Sequence, residues 1–278
     1  MKRLKSRLSP SFRIALVAVA LIFSVLPALW LFWTRAPAFE VTYHDLRSPT
    51  QTAAYRVVQL SDLHLQRFDL FEKAIVAQVQ AFHPDLVVLT GDSIDRADAL
   101  PVFQSFLATL GPMPVVAVPG NWEHWSGVDF RNLEALLLNQ PNGKFLMNQE
   151  QTFTAKGRSI HLIALDDFTA GQPDARLLSL RPFNDVSILI QHSPGFFDQP
   201  EVRQRMKDQR FSLCLSGHTH GGQITFAGWA PFSPVGSGQF VSGFYDVPGC
   251  RLYVSRGLGT SVLPFRWGSA PEIAVFDL

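Results

Sequence analysis

Charge is scarce in this chain of 278 residues: Asp, Glu, Lys and Arg make up 17% of it, and 24 Lys and Arg against 23 Asp and Glu leave a net charge of +1. Without a global basic footprint, polymeric DNA or RNA is not the expected partner. Cysteine is scarcer still, at two residues, Cys214 and Cys250. Cys214 lies in the apolar run Phe211-Ser212-Leu213-Cys214-Leu215 and reads as a free thiol in a buried strand. A disulfide to Cys250 stays open, because sequence does not give the distance between the two. Neither cysteine closely follows the N-terminal apolar segment, which argues against lipid attachment there. Internal repeats and low-complexity stretches are absent, and nothing signals an oligomeric state. Apolar residues are plentiful, at 47%. That is enough to bury a sizeable core, in one large α/β domain plus an anchor or in two domains.

Lys2, Arg3, Lys5, Arg7 and Arg13 precede a run from Ile14 to Trp33 that carries no charge. About 20 such residues cross roughly 30 Å of hydrocarbon as a helix. Trp30 and Trp33 stand at its far end, where amphipathic rings suit the interface, and a membrane helix tolerates Pro27. Residues 1–13 are therefore read as a basic cytoplasmic N-terminus and 14–33 as a single transmembrane helix in a bacterial inner membrane. The rest of the chain is then extracytoplasmic. A cleaved signal peptide is the rival, with Ala36-Pro37-Ala38 as its small-residue site. The run exceeds the usual signal core of roughly 7–15 residues, however. A buried core helix fits less well, since the run has no polar face.

Residues 34–54 read as a connector with a first strand over Phe39–Leu46, and residues 55–278 as the main domain. Tyr55–Leu60, Leu86–Thr90 and Val115–Val118 read as buried strands. Helices are expected over Asp69–Phe82, Leu100–Leu110 and Phe130–Leu138, and further strands over Ser159–Leu165, Val186–Ile190 and Phe211–Leu215. Strands alternating with helices define an α/β domain with a mostly parallel sheet, at least in the first half. Beyond His220 the chain is rich in Gly, Pro and aromatic residues, with short β-like pieces at Leu252–Ser255 and Glu272–Phe276.

The informative pattern is what each strand delivers at its C-terminal end: Asp62-Leu63-His64, Gly91-Asp92, Gly120-Asn121, Gln191-His192 and Gly217-His218-Thr219-His220. In an open α/β sheet, ligands collect at those ends. Imidazole nitrogens with carboxylates suit borderline divalent metals such as Mn, Fe or Zn. Asp62, His64, Asp92, Asn121, His192, His218 and His220 are too many for one catalytic ion with an open position, and they fit two ions sharing a carboxylate. Two ions about 3.5–4 Å apart clamp the attacking and leaving oxygens of a phosphoryl displacement. Any one of these residues alone has a bland reading as a turn or cap. Their joint occurrence at successive strand ends does not. His161, inside an apolar strand, and His83, before Pro84, are read as structural.

These motifs resemble the five motifs of the calcineurin-like metallophosphoesterases, over about residues 55–278. Gly217-His218-Thr219-His220-Gly221-Gly222-Gln223-Ile224, Tyr253-Val254-Ser255-Arg256-Gly257-Leu258-Gly259, Pro264-Phe265-Arg266 and Pro271-Glu272-Ile273 are more particular. They resemble a bacterial membrane-associated phosphodiesterase subfamily similar to UDP-2,3-diacylglucosamine hydrolases of lipid A synthesis. The resemblance implies a two-sheet β-sandwich flanked by helices and a pair of Mn, Fe or Zn ions. It implies that Asp62, His64 and His220 hold one ion, that Asn121, His192 and His218 hold the other, and that Asp92 bridges them.

One position departs from the family. Its third motif is Gly-Asn-His, and that histidine protonates the leaving oxygen; here the chain reads Gly120-Asn121-Trp122-Glu123-His124. An indole N–H does not titrate, so Trp122 cannot take that part. His124 is the candidate replacement, and Glu123 is expected behind the ligands. Without a replacement acid, poor leaving groups suffer most, which favours pyrophosphate or aryl-like esters. Arg256 and Arg266 are candidates to grip a substrate phosphate. Phe226-Ala227-Gly228-Trp229-Ala230-Pro231-Phe232 is apolar for a loop and is expected either to meet a membrane or lipid chain or to pack on the domain. The expected activity is hydrolysis of a phosphodiester or pyrophosphate, on a lipid-linked substrate such as UDP-2,3-diacylglucosamine. A phosphomonoesterase and a non-catalytic metal-binding scaffold are the alternatives. A cytoplasmic nucleotide-lipid conflicts with an extracytoplasmic domain, so either the substrate or the orientation must differ.

Overall fold

The computed structural model describes Ser9 and residues 38–47, 55–155, 157–179 and 186–278. The proposed transmembrane run 14–33 lies outside these residues. Among the described residues no helix is long and apolar enough to cross a membrane. Phe39–Leu278 forms one compact unit.

The chain order is β1 (Glu40–Asp45), β2 (Arg56–Leu60), α1 (Leu70–Phe82), β3 (Leu86–Leu89), α2 (Leu100–Leu110), β4 (Val115–Ala117), α3 (Asn121–Trp125), α4 (Phe130–Leu137) and β5 (Lys144–Phe145). Then follow β6 (Gln149–Ala155), β7 (Arg158–Ala164), β8 (Val186–Ile190), α5 (Pro200–Met206), β9 (Leu213–Ser216), β10 (Gly243–Val247), β11 (Cys250–Val254) and β12 (Glu272–Asp277). Two six-stranded sheets result, ordered β1-β12-β2-β3-β4-β5 and β10-β11-β9-β8-β7-β6. In the first sheet β2 to β5 are parallel and β12 runs antiparallel to β2. In the second, β7, β8, β9 and β11 are parallel, with β6 and β10 as antiparallel edges.

The sheets stack face to face, with helices outside. Because side chains alternate across a strand, adjacent residues of β2 and β3 serve different layers. Val58, Leu60, Val87 and Leu89 face the helices and pack with Ile75, Val79, Phe103 and Phe106. Val57, Leu86 and Val88 face the second sheet and meet Ile160, Leu162, Ile188 and Leu213. Burial on both faces makes these strands mostly apolar, with Gln59 the one polar residue inside them, which is why they are legible. Helix α1 starts where Asp69 and Glu72 form a capping box and stops at His83, φ 48°, ahead of Pro84.

One expected strand is present and one reading changes. The strand expected over Phe39–Leu46 is β1, and it pairs with β12 from Glu40↔Glu272 to Asp45↔Asp277, so the sheet takes in chain from before Tyr55. Cys214 is not a free thiol. The sheet sets β9 beside β11, and Cys214 is bonded to Cys250 with their Cα atoms 6.1 Å apart.

Candidate metal centre

Every candidate ligand leaves a strand end on a backbone that turns at once. Asp62 and His64 follow β2, Asp92 follows β3, Asn121 opens α3 after β4, His192 follows β8, and His218 and His220 follow β9. Asp62, His64, Asp92, His218 and His220 have φ of 51°, 45°, 53°, 70° and 52°. Non-glycine residues rarely occupy this left-handed region, which costs of order 1–3 kcal/mol each and persists where surrounding structure enforces it. Gly91, φ 93°, makes room for the convergence. A Cβ there would lie 2.5 Å from His192 Nδ1 and 2.8 Å from the Gly120 backbone.

All seven side chains are buried. The ligand atoms of Asp62, His64, Asp92 and His220 lie within 4.8 Å of one another, and those of Asp92, His192 and His218 form a second such group. Asp92 belongs to both. Its Oδ2 stands 3.1 Å from His192 Nε2 and 3.9 Å from His64 Nε2. Asn121 Oδ1 joins the second group, 2.7 Å from His218 Nδ1 and 3.2 Å from His192 Nε2.

The donor inventory shows that this set suits cations. His192 Nδ1 sits 2.7 Å from the Thr90 carbonyl, and His218 Nε2 sits 2.7 Å from the Val235 carbonyl. Only a ring N–H can satisfy a carbonyl, so in the neutral, metal-binding form of each ring the inward-facing nitrogen is a lone pair. Those lone pairs face Asp92 Oδ2 and Asn121 Oδ1, which are themselves acceptors. His64 repeats the pattern: Nδ1 meets the Asp95 carboxylate, and Nε2 points at His220 Nε2, 3.1 Å away. Acceptors that converge on acceptors in a buried site need a cation between them, and two groups sharing Asp92 suit two.

The carboxylates call for positive charge in this cluster. Burial pushes the Asp62 carboxyl above the usual carboxylate range. Burial also opposes charge on His192, yet Asp92 and Asp62 outweigh it and raise the imidazole well above its ordinary value. Burial holds His220 well below the usual histidine value, and the positive groups around it, His64 and Arg266, deepen the shift.

Behind the ligands stands a supporting shell. The Glu123 carboxylate accepts backbone N–H bonds from Asp92 and Gly120 on one oxygen and from Ser93 and Ile94 on the other, at 2.6–3.3 Å. Burial, with Asp92 nearby, pushes Glu123 up to about 7. Arg266 packs against His220, with Nη2 3.1 Å from Nδ1 and Nη1 donating to the His220 and Arg256 carbonyls. Burial pulls that guanidinium down to about 10. Arg256 is paired with Glu40 at 2.9 Å and with buried Glu272 at 3.4 Å. The structure thus places both arginines against protein groups, Arg266 at the metal centre itself.

Trp122 lies edge-on to the His64 ring, centroids 6.0 Å apart. His124, two residues further along α3 and so on its other side, points away to Asp166, with Nε2 to Oδ1 at 2.7 Å. The Asp166 hydrogen bond raises the His124 pKa above the usual value. The pair lines a polar cavity of about 660 Å³ with Asn148, Gln172, Asp174 and Arg176. Thr169, from the same 166–174 loop, reaches Ser193 Oγ at 2.8 Å, next to His192. Asp95 and Asp166 were not singled out from sequence. Asp95 had a local signal, three residues past Asp92, whereas Asp166 had none.

A buried pair of acceptor-lined half-sites on the strand ends of a two-sheet sandwich is a candidate dinuclear metal centre. The chain belongs to the calcineurin-like phosphoesterase family, which it matches over residues 55–222, and is a phosphate-ester hydrolase. It is 33% identical to the uncharacterized metallophosphoesterase YkuE of Bacillus subtilis, over 86% of this chain and 85% of that protein. It is 30% identical to the phosphodiesterase YaeI of Escherichia coli, over 86% and 88%. The UDP-2,3-diacylglucosamine pyrophosphatase LpxG of Chlamydia muridarum is 27% identical over 90% and 92%. Among solved structures, GAP50 of Plasmodium shares the fold, at a TM-score of 0.50 and 12% identity over 81% of each chain.

Proposed function

We propose that this protein hydrolyses a phosphodiester or pyrophosphate bond in a lipid-linked substrate at an extracytoplasmic membrane surface. The observation that carries the hydrolysis is Asp92, whose carboxylate joins two half-sites of inward-facing lone pairs. Asp62, His64, Asp92 and His220 would hold one divalent ion, and Asp92, Asn121, His192 and His218 the other. Mn, Fe or Zn fits the donors. Such ions, when bound, supply Lewis-acid charge to the phosphoryl oxygens and acidify water.

The protein's own residues do the positioning. Thr90 and Val235 fix the tautomers of His192 and His218, Asp95 orients His64, and Glu123 ties the Asp92 loop to α3. His124, whose pKa its bond to Asp166 raises, is the candidate proton source on the cavity side, in the part that Trp122 cannot play. A donor set back from the ligands favours substrates whose leaving oxygen needs little help, as in a pyrophosphate. Arg256 is the better placed of the two arginines to meet a substrate phosphate, because Arg266 is committed to His220.

The LpxG relative supports a lipid-linked pyrophosphate as the substrate class. The Cys214–Cys250 disulfide supports the extracytoplasmic side, since such bonds persist in oxidising compartments. That side favours an exported lipid-linked phosphate over UDP-2,3-diacylglucosamine itself.

The test uses residues 39–278 with Mn on bis(p-nitrophenyl) phosphate and p-nitrophenyl phosphate, beside Asp92→Ala. Diester turnover well above monoester turnover, lost by more than about 100-fold in the variant, is expected. Preferred monoester turnover overturns the diesterase reading.

A further inference from the structure

We infer that the apolar platform beside the metal centre is a membrane-docking face, which seats the site on the surface of a phospholipid bilayer. Two loops build it. Phe226, Trp229, Phe232 and Val235 are exposed on the first, Phe232 to 81% and Val235 to 87%. Val262, at 91%, and Trp267 are exposed on the second. The loops form one unit: the Thr225 N–H donates to the Trp267 carbonyl at 2.7 Å, and the Trp267 N–H to the Gln223 carbonyl at 2.9 Å. The Gln223 side chain adds bonds to the Ser261 and Leu263 carbonyls at 3.1 and 3.0 Å. Each loop also holds a metal-site histidine, through Val235 to His218 and through Arg266 to His220.

The charge pattern is that of a surface meant to leave water. No charged residue occurs between His220 and Asp246, and between Arg256 and Glu272 the only one is Arg266, whose guanidinium turns inward. Soluble surfaces rarely expose a contiguous apolar patch of this kind unless it binds something. Tryptophan rings suit the interfacial region, where one edge is apolar and the other wet.

What covers it follows from where the chain enters the fold. The charge-free run 14–33 is long enough to span a bilayer, and five residues, 34–38, separate it from Phe39. Five residues reach at most about 20 Å. β1 begins at Glu40, opposite Glu272, and β12 runs antiparallel to β2, so Glu40 lies at the ligand-bearing end of the sheet. Arg256 joins Glu40 to Glu272 there, and three residues on, the Gly259 N–H donates to the Asp62 carbonyl at 2.6 Å. The chain thus enters the folded unit at the end that carries the metal centre and the platform. This docking goes beyond the hydrolysis proposed above and does not depend on it.

The full chain is reconstituted in phosphatidylethanolamine–phosphatidylglycerol vesicles, with an environment-sensitive fluorophore on Phe232→Cys, on Val262→Cys or on Asp208→Cys. Asp208 is exposed and precedes β9 at the opposite end of the sheet. Spin-labelled lipid should quench positions 232 and 262 at least about threefold more than 208. Equal, water-like signals at all three overturn the proposal. Shielding at 232 that grows with protein concentration but not with spin-labelled lipid overturns it in favour of a second copy of this chain. Diester hydrolysis in the same vesicles is read separately: quenching without turnover leaves docking intact and sinks the hydrolase reading, and turnover without quenching does the reverse.

Discussion

Glu123 and Asp92 hold each other's backbones. Glu123 Oε2 accepts the Asp92 N–H at 2.9 Å, and Asp92 Oδ1 accepts the N–H of Trp122, the neighbour of Glu123, at 2.8 Å. The β3 loop and the start of α3 are thereby locked in register, and with them Asp92 and Asn121. Because Glu123 serves four N–H donors, Glu123→Gln keeps one acceptor oxygen and turns an NH2 group on the rest. Equilibrium unfolding should show a loss of about 2–4 kcal/mol. Metal titration by calorimetry should show affinity falling roughly 10–100-fold. Unchanged metal affinity would mean that the clasp serves stability alone.

Trp122 stands in the sequence where the family resemblance expects a titrating side chain, and it lies edge-on to His64. Trp122→His should raise turnover of simple alkyl phosphodiesters by about 100-fold, within the usual range for general acid catalysis, and leave p-nitrophenyl esters nearly unchanged. A plot of rate against leaving-group pKa measures this as a shallower slope. Equal gains on both substrates would exclude a missing acid.

The His124–Asp166 pair gives a signed pH effect. The folded His124 pKa is raised, chiefly by its Asp166 hydrogen bond. Its contribution is therefore complete below the unfolded value near 6.5 and disappears as pH rises through the folded value. Asp166 is depressed: burial opposes the shift, but the His124 bond and the backbone bonds outweigh it. Its contribution is present above the unfolded carboxylate value and is lost in acid. Discounted for the half-exposed ring, the pair contributes about 1 kcal/mol near pH 6. Melting curves of the chain and of Asp166→Asn should separate most between pH 5 and 6.5 and narrow on the alkaline side to the gap left by the backbone bonds to Asp166. A constant gap across that range would contradict the pairing.

Cys214 and Cys250 are 36 positions apart. Cross-linking a loop of that length stabilises by about 3–4 kcal/mol through the unfolded chain. Cys214→Ala with Cys250→Ala should lower the melting temperature of the domain by several degrees, and dithiothreitol should lower the unsubstituted chain equally. No shift on reduction would show that the bond does not form.

Much of this was legible because the parallel strands are buried on both faces. Leu86–Leu89 is an unbroken apolar run, Val57–Leu60 and Val186–Ile190 are each interrupted by one polar residue, Gln59 and Ser187, and each strand puts its ligand at the next turn. The short or amphipathic pieces were harder. β5 is two residues and α3 is five, neither long enough to show a period, and β6, Gln-Glu-Gln-Thr-Phe-Thr-Ala, is a polar edge. The disulfide needed the pairing of β9 with β11, which no local pattern encodes. The partners of His124 and Arg266 lie 42 and 46 residues away along the chain, so only the fold could supply them.

The placement of β12 also bears on when this molecule becomes whole. The last strand made lies between β1 and β2, with Glu272–Asp277 on Glu40–Asp45 at one edge and on β2 at the other. Contacts so distant in sequence close slowly, and here they cannot close until nearly the whole chain has left the ribosome. A nascent chain carries all its metal-site side chains by residue 220 yet lacks the strand that joins the first edge of its sheet. Translation must pass Asp277 before that sheet is complete, so a partly made chain lacks the finished frame on which Asp62 and His64 are mounted.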